Sequence, residues 1–245
     1  MNNKVHKVTI IGDLHGRDIW RKIVDDNPDS DLFIFVGDYL DSFDVDAMTQ
    51  IHNFRDIIEF RKQNPDKVIT LIGNHDFHYT SACIGSYSGF NHNIYYNVRL
   101  ELDALFKDGT LLIAHQIENF LFTHAGVTKS FCADWDIDTN DLVNSLNDFL
   151  IYKPNVFNFR AGKNHSAYGD DIIQGPLWVR PNSLIEDCLD YIHVVGHTQK
   201  MLITQVLDEN DDYGYILVDT LIGNQYLELI FDENQKTEIN IKKIS

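Results

Sequence analysis

The stretch Val8-Thr9-Ile10-Ile11-Gly12-Asp13-Leu14-His15-Gly16 sets a pattern for the whole chain: a short β-prone run ends abruptly in a cluster of glycine, carboxylate and imidazole. The pattern recurs four times. Leu32 to Val36 precedes Gly37-Asp38, Val68 to Ile72 precedes Gly73-Asn74-His75-Asp76, Phe120 to Thr123 leads into His124, and Ile192 to Val195 leads into Gly196-His197. Segments of helical periodicity separate the first three runs. The clearest spans Val45 to Phe60, with Met48, Ile51, Phe54 and Ile58 at threes and fours and Pro65 beyond its end. Strand, helix, strand is the pattern of a parallel sheet, in which ligands bind beyond the carboxyl ends of the strands. All five polar clusters are therefore expected on one edge.

The rest of the chain extends this frame. Val98 to Asp108 reads as a helix stopped by Gly109, and Asp141 to Tyr152 as another. After Met201 the composition turns to β-type runs, Met201 to Leu207, Tyr213 to Val218, Tyr226 to Phe231 and Glu238 to Ile241. Acidic and glycine-rich turns divide them, and Asp208 to Asp212 reads as an exposed hairpin loop. The expected fold class is α/β, two packed, mainly mixed β-sheets flanked by helices, as one domain over residues 1–245.

Composition narrows the function. With 37 Asp plus Glu against 20 Lys plus Arg, the net charge of −17 repels nucleic-acid backbones and argues against non-specific binding to them. It leaves room for a phosphorylated ligand where bound cations supply local positive charge. Cys83, Cys132 and Cys188 are odd in number and form no Cys-x-x-Cys pair, which fits a reducing cytoplasm better than a disulfide framework. Lys4 and Lys7 interrupt the run from Met1 to Ile11, so it lacks a signal peptide's apolar core, and no stretch reaches the length of a membrane span.

The clusters hold the donors of a metal centre. Asp13 and His15, two apart in an extended segment, point the same way and offer oxygen and nitrogen to one ion. Asp38 has two carboxylate oxygens with which to bridge two ions, Asn74 offers an amide oxygen, and His124 and His197 offer imidazole nitrogens. Each cluster alone has an ordinary reading as turn chemistry. Several in one chain do not, since a fixed four-residue string at roughly 5% usage per residue arises on the order of once per thousand chains of this size. Carboxylate, amide and imidazole donors without thiolate suit Mn²⁺, Fe or Zn²⁺ better than Ca²⁺.

Gly12-Asp13-Leu14-His15-Gly16, Gly37-Asp38-Tyr39-Leu40-Asp41, Gly73-Asn74-His75-Asp76, His124-Ala125-Gly126 and Gly196-His197-Thr198 resemble, in order, the signature blocks of the calcineurin-like metallophosphoesterases. Thr198 after His197 makes the chain most similar to the phosphoprotein phosphatase and diadenosine tetraphosphatase branch. The resemblance implies a four-layer sandwich and two divalent ions, Mn²⁺ foremost with Fe and Zn²⁺ as alternatives. It assigns Asp13, His15 and Asp38 to the first ion and Asp38, Asn74, His124 and His197 to the second, with hydroxide generated between them as the nucleophile. It further implies His75 as general acid, Asp41 as the carboxylate that orients it, and Asn74 in contact with substrate phosphate.

One position departs from the branch. An arginine that holds substrate phosphate commonly follows the block aspartate, and here Ser42 stands instead. A hydroxyl does not reproduce the planar fork of a guanidinium. Gly175 to Pro181 resembles a later block of the branch and makes Arg180 the leading replacement, with Arg160 second. Substrate identity falls to the segments between blocks. Phe77 to Tyr96 carries Tyr79, Tyr87, Phe90, Tyr95 and Tyr96, which serve either to pack a long loop or to stack a nucleobase. His78 and His92 read as exposed loop residues, and Val156 to Gln174 offers Arg160, Lys163 and His165. The favoured function is a phosphomonoesterase of the serine/threonine protein phosphatase type. The alternatives are a nucleotide-directed hydrolase, acting on dinucleoside polyphosphates or cyclic nucleotides, and a catalytically silent binding module.

Overall fold

The computed structural model describes residues 6–162, 170–232 and 237–244; Lys163 and His165 lie outside them. Its strands are β1 (Lys7–Ile11), β2 (Leu32–Phe35), β3 (Val68–Leu71), β4 (Leu111–Leu112), β5 (Ala114–Ile117), β6 (Phe120–Thr123), β7 (Ile192–Val195), β8 (Thr204–Leu207), β9 (Gly214–Leu217), β10 (Gln225–Phe231) and β11 (Thr237–Lys243). The helices are α1 (Trp20–Asp26), α2 (Ala47–Gln63), α3 (Asn74–Phe77), α4 (His92–Lys107), α5 (Lys129–Trp135), α6 (Leu142–Tyr152) and α7 (Pro181–Asp187).

Two mixed sheets form, one in the order β11-β10-β1-β2-β3-β4 and the other β5-β6-β7-β9-β8. In the first, β1 to β4 run parallel, β10 pairs antiparallel with β1, and β11 pairs antiparallel with β10. In the second, β6, β7 and β9 are parallel, with β5 and β8 antiparallel at the edges.

The period-2 alternation of the strands makes the layers. Val8 and Ile10 of β1, Leu32 and Ile34 of β2, and Ile69 and Leu71 of β3 pack with Phe120, Phe122, Ile192, Val194 and Ile216 of the other sheet. Phe33 and Phe35 instead face the helices, against Trp20 and Ile23 of α1, Ile51, Phe54 and Ile58 of α2, and Val98 and Leu102 of α4. On the far side, Val195, Tyr215 and Leu217 pack with Leu184 of α7. The α/β class with two mixed sheets and flanking helices is thus the observed one.

Two helices differ from the sequence expectation in extent. Helix α2 starts at Ala47 because Asp46 caps it, accepting from the Met48 and Thr49 amides, and it runs on to Gln63. Helix α4 starts six residues before Val98, because Asn91 caps the Asn93 amide and Ile94 joins the buried stripe of Val98, Leu102, Leu105 and Phe106. Its first turn is polar and aromatic, which hid it from a periodicity search. Among the described residues no helix is long and apolar enough to cross a membrane, and the three cysteines are unpaired.

Candidate metal centre

Every cluster follows the carboxyl end of a strand: Asp13 after β1, Asp38 after β2, Asn74 after β3, His124 after β6 and His197 after β7. The parallel order β1-β2-β3 and β6-β7-β9 brings these ends to one edge of the sandwich. Backbone hydrogen bonds stitch the loops together. The Leu14 and His15 amides donate to the Asp38 carbonyl at 3.0 and 2.8 Å, Gly16 donates to Tyr39 at 2.7 Å, and Gly196 donates to His124 at 2.9 Å. Asp76 is fully buried and ties two loops, accepting from the Tyr39 and Leu40 amides through Oδ1 and from Gly73 through Oδ2.

The glycines of the blocks admit this approach. Gly37 has φ +104°, and a Cβ on it would stand 2.4 Å from the Gly73 nitrogen. On Gly196 a Cβ would stand 1.9 Å from Asp13 Oδ1. Four site residues hold left-handed backbone themselves: His15 (φ +46°), Asp38 (+53°), Asp41 (+68°) and His197 (+60°). Such positions cost on the order of 1 kcal/mol each in non-glycine residues and persist where surrounding contacts over-determine them, as the inter-loop bonds do here.

The donor atoms converge in two groups that share Asp38. Donor atoms of Asp13, His15 and Asp38 lie within 4.8 Å of one another, and His15 Nε2 is 3.8 Å from Asp38 Oδ2. On the other side His124 Nε2 lies 3.4 Å from the same Oδ2 and 2.8 Å from Asn74 Oδ1, while His197 Nδ1 is also 2.8 Å from Asn74 Oδ1. Each ring's second nitrogen faces a backbone carbonyl: His15 Nδ1 that of Leu40 at 2.8 Å, His124 Nδ1 that of Val36 at 2.9 Å, and His197 Nε2 that of Trp178 at 3.2 Å. A carbonyl only accepts, so each of those nitrogens carries a proton, and in a neutral ring the inward nitrogen then presents a lone pair.

A cation fits this arrangement. With each ring protonated at its outward nitrogen, the inward nitrogens of His124 and His197 meet the Asn74 oxygen at 2.8 Å as acceptors, the form in which they would hold an ion. Asp13 Oδ1 is buried without a hydrogen-bond partner among the described residues, although Oδ2 accepts the His197 amide at 2.9 Å. Burial, then the charges of Asp219 and Asp38, push Asp13 well above the usual carboxylate range. Burial would raise Asp38 as well, but His124 and His75 outweigh it and hold that carboxyl well below the range. Burial keeps His15 and His197 neutral, the form a ligand requires. Converging carboxylates and neutral imidazoles are the donor set of a divalent ion.

Beside the centre, His75 Nδ1 is 2.8 Å from Asp41 Oδ2, and the His75 amide donates to Asp38 Oδ1 at 2.9 Å. Burial pulls the His75 imidazolium down, yet the carboxylates of Asp38 and Asp41 outweigh it and hold the group up to about 9. Tyr79 is buried and donates its hydroxyl to Asp41 Oδ1.

Other expectations meet a different geometry. Arg180 Nη1 donates to the His197 carbonyl at 2.7 Å and to Thr198 Oγ1 at 3.1 Å, which sets a guanidinium against the loop that carries His197. Arg160 points elsewhere, pairing with Asp134 at 3.0 Å and lying over the Trp135 ring. Ser42 is spent on its own turn, its Oγ accepting from the Asp44 and Val45 amides. His92 is exposed as expected, but His78 is not: it is buried, with Nε2 2.7 Å from Asp41 Oδ2. The aromatic loop largely packs, with Tyr79 buried and Tyr87, Phe90 and Tyr95 against the core, leaving Tyr96 at 80% exposure.

Sequence reasoning missed Asp219. It follows β9, is buried, and is raised to about 6 by burial and by Asp38. Its signal was present, because the run Tyr213 to Val218 ends in Asp219 just as the five quoted runs end in a polar residue.

A comparison with curated protein sequences finds no match. Among solved structures the chain is similar to a protein serine/threonine phosphatase of Saccharomyces cerevisiae with similarity to human phosphatase PP5, at 13% identity and a TM-score of 0.56, covering 98% of this chain and 81% of that one. It is also similar to a metallophosphoesterase of Sphaerobacter thermophilus, at 13% identity and a TM-score of 0.52, covering 98% and 88%. The sequence itself matches the calcineurin-like phosphoesterase family over residues 6–201, which takes in every one of the converging clusters. The chain therefore belongs to the calcineurin-like phosphoesterases and is a metal-dependent phosphoester hydrolase.

Proposed function

We propose that the chain is a phosphomonoesterase of the serine/threonine protein phosphatase type. The observation that carries this reading is the 2.8 Å contact between His75 Nδ1 and Asp41 Oδ2 beside the converged donors. An alkoxide leaving a phosphoseryl or phosphothreonyl group is a strong base and requires a proton as the bond breaks. The phosphate that leaves a dinucleoside polyphosphate is a weak base and requires little. A held, protonated imidazole therefore favours esters with an alkoxide leaving group over dinucleoside polyphosphates, and a substrate panel separates phosphopeptides from cyclic nucleotides.

In this reading Asp13, His15 and Asp38 hold one divalent ion and Asp38, Asn74, His124 and His197 a second, with Mn²⁺ foremost and Fe or Zn²⁺ as alternatives. When bound, such ions activate water and offset charge on the phosphoryl oxygens. His75 Nε2 donates to the departing oxygen while Asp41 engages Nδ1 and fixes the ring. Asn74 and Arg180 meet the phosphate, Arg180 standing in for the guanidinium that Ser42 lacks. The alternative, a nucleotide-directed hydrolase, draws on a cleft of about 340 Å³ lined in part by Phe90, Tyr95, Tyr96 and Arg99.

The test is a substrate panel on Mn²⁺-loaded protein: a phosphoserine peptide, p-nitrophenyl phosphate, diadenosine tetraphosphate and a cyclic nucleotide. We expect kcat/KM for the phosphopeptide to exceed that for either nucleotide by about tenfold or more, a difference of about 1.4 kcal/mol in transition-state binding. The reverse order would replace this reading with the alternative.

A further inference from the structure

We propose that His78 is a positioning residue that fixes Asp41 so that His75 has a single bearing toward the substrate. The inference rests on the proposed role of His75 as general acid. His78 caps the C-terminus of α3, and its side chain is wholly shielded from solvent. Its Nε2 lies 2.7 Å from Asp41 Oδ2, an ion-pair contact that stands off the line of a hydrogen bond, and it makes no hydrogen bond among the described residues. Its Nδ1 accepts the Tyr87 amide at 3.4 Å, which leaves Nε2 as the nitrogen presented to the carboxylate.

Asp41 is thus met from three sides. His75 Nδ1 and His78 Nε2 share Oδ2, and the Tyr79 hydroxyl takes Oδ1. Tyr79 Oη in turn accepts the Asn91 amide at 2.9 Å, and a Cβ on Gly89 would stand 2.9 Å from Asp41 Cβ, so both ends of the segment from His78 to Asn91 gather at this one residue. The His78 ring is itself wedged, edge-on to Tyr79 at 4.3 Å and to Phe90 at 5.2 Å, and parallel to Tyr87 at 6.1 Å. A carboxylate with one partner is free to turn about its last bond; with three it is not. The direction of His75 Nδ1, and with it the aim of Nε2, follows from that constraint.

Asp41, His75 and His78 also have the composition of a cation site, their donor atoms lying within 4.8 Å of one another. The His75 to Asp41 contact is a hydrogen bond at 2.8 Å, and the metal content of the His78 variants separates the two readings.

The experiment compares His78→Leu and His78→Gln in the metal-loaded protein on two substrates, an alkyl phosphate, which requires leaving-group protonation, and p-nitrophenyl phosphate, which requires little. Gln retains a donor near Nε2 and Leu does not. We expect His78→Leu to lower the ratio of alkyl to aryl kcat about tenfold, with KM for either substrate little moved, and His78→Gln to restore most of that ratio. In an Asp41→Asn background His78→Leu should change the ratio no further. Equal losses on both substrates in both variants would overturn the proposal in favour of a packing role. Loss of one metal ion per chain in His78→Leu would overturn it in favour of a cation site. An unchanged ratio in both variants would also overturn it. His75→Asn run alongside separates the two levels: if it lowers the ratio while His78→Leu does not, only the positioning role fails, and if it leaves the ratio unchanged, the acid assignment fails and this proposal with it.

Discussion

His124 Nε2 and Asn74 Oδ1 stand 2.8 Å apart while His124 Nδ1 faces the Val36 carbonyl at 2.9 Å, so in the Nδ1-protonated tautomer that a metal ligand requires two acceptors meet. Two acceptors held this close in a buried site repel unless a positive charge lies with them. That charge is the natural place of a divalent ion.

Removal of metal is accordingly expected to destabilise the fold. Chelation should lower the thermal midpoint, and restoring metal at about a thousand times its dissociation constant should return on the order of 4 kcal/mol. His124→Ala removes both the donor and the conflict, so its midpoint should respond less to chelation and its turnover should vanish. Differential scanning calorimetry with and without chelator checks both. An equal response in wild type and variant would remove His124 from the centre.

His75→Asn should keep its metal and slow turnover of an alkyl phosphate by roughly 10²- to 10⁴-fold. Metal analysis and steady-state rates on the same preparation give the answer. Loss of metal together with activity would recast His75 as a structural support of Asn74.

Arg180→Ala should raise KM if the guanidinium binds substrate and transition state alike, or lower kcat if it acts in the transition state alone. Arg160→Ala, whose guanidinium pairs with Asp134, should leave both parameters within about twofold. Steady-state kinetics on p-nitrophenyl phosphate decide it, and the opposite pattern would exchange the two roles.

Two histidines should each lower stability as the medium is acidified below neutrality, against the raised carboxyls of Asp13 and Asp219, which gain protons on folding and act with the opposite sign. His193 is fully buried in β7 and His115 is half-buried in β5, and burial lowers both to about 4. Between the unfolded value of 6.5 and about 4 the unfolded chain binds the extra protons, so the contribution is complete above pH 6.5 and is lost as pH falls through that window. For His193 a shift of 6.5 − 4, about 2.5 units, corresponds to roughly 3 kcal/mol at most. Urea titrations from pH 7.5 to 4 on wild type and His193→Gln isolate the contribution, since wild type should lose stability relative to the variant as pH falls. The same pH dependence in both proteins would contradict the burial argument.

The strand runs and their polar ends were legible because two physical requirements coincide in them: β-prone apolar residues to fill both faces of a buried sheet, and glycines to let loops touch. Gly37 against Gly73 and Gly196 against Asp13 are such contacts. Asp219 escaped because no glycine precedes it, although the strand before it was read correctly. His78 escaped for another reason. A histidine in a polar, aromatic segment reads as exposed, and only the folding of His78 to Asn91 around Asp41 buries it. The early start of α4 likewise depends on an asparagine cap and on tertiary burial of Ile94, neither of which periodicity registers.

The central claim is a centre of two ions that share Asp38, and metal content per chain tests it most directly. Reconstituted with Mn²⁺ or Zn²⁺ and freed of excess, the wild-type protein should retain two ions per chain by elemental analysis. Asp38→Asn, which weakens both groups at once, should retain fewer than one while staying folded by circular dichroism. A wild-type protein that holds one ion or none, or an Asp38→Asn variant that keeps two, would contradict the account.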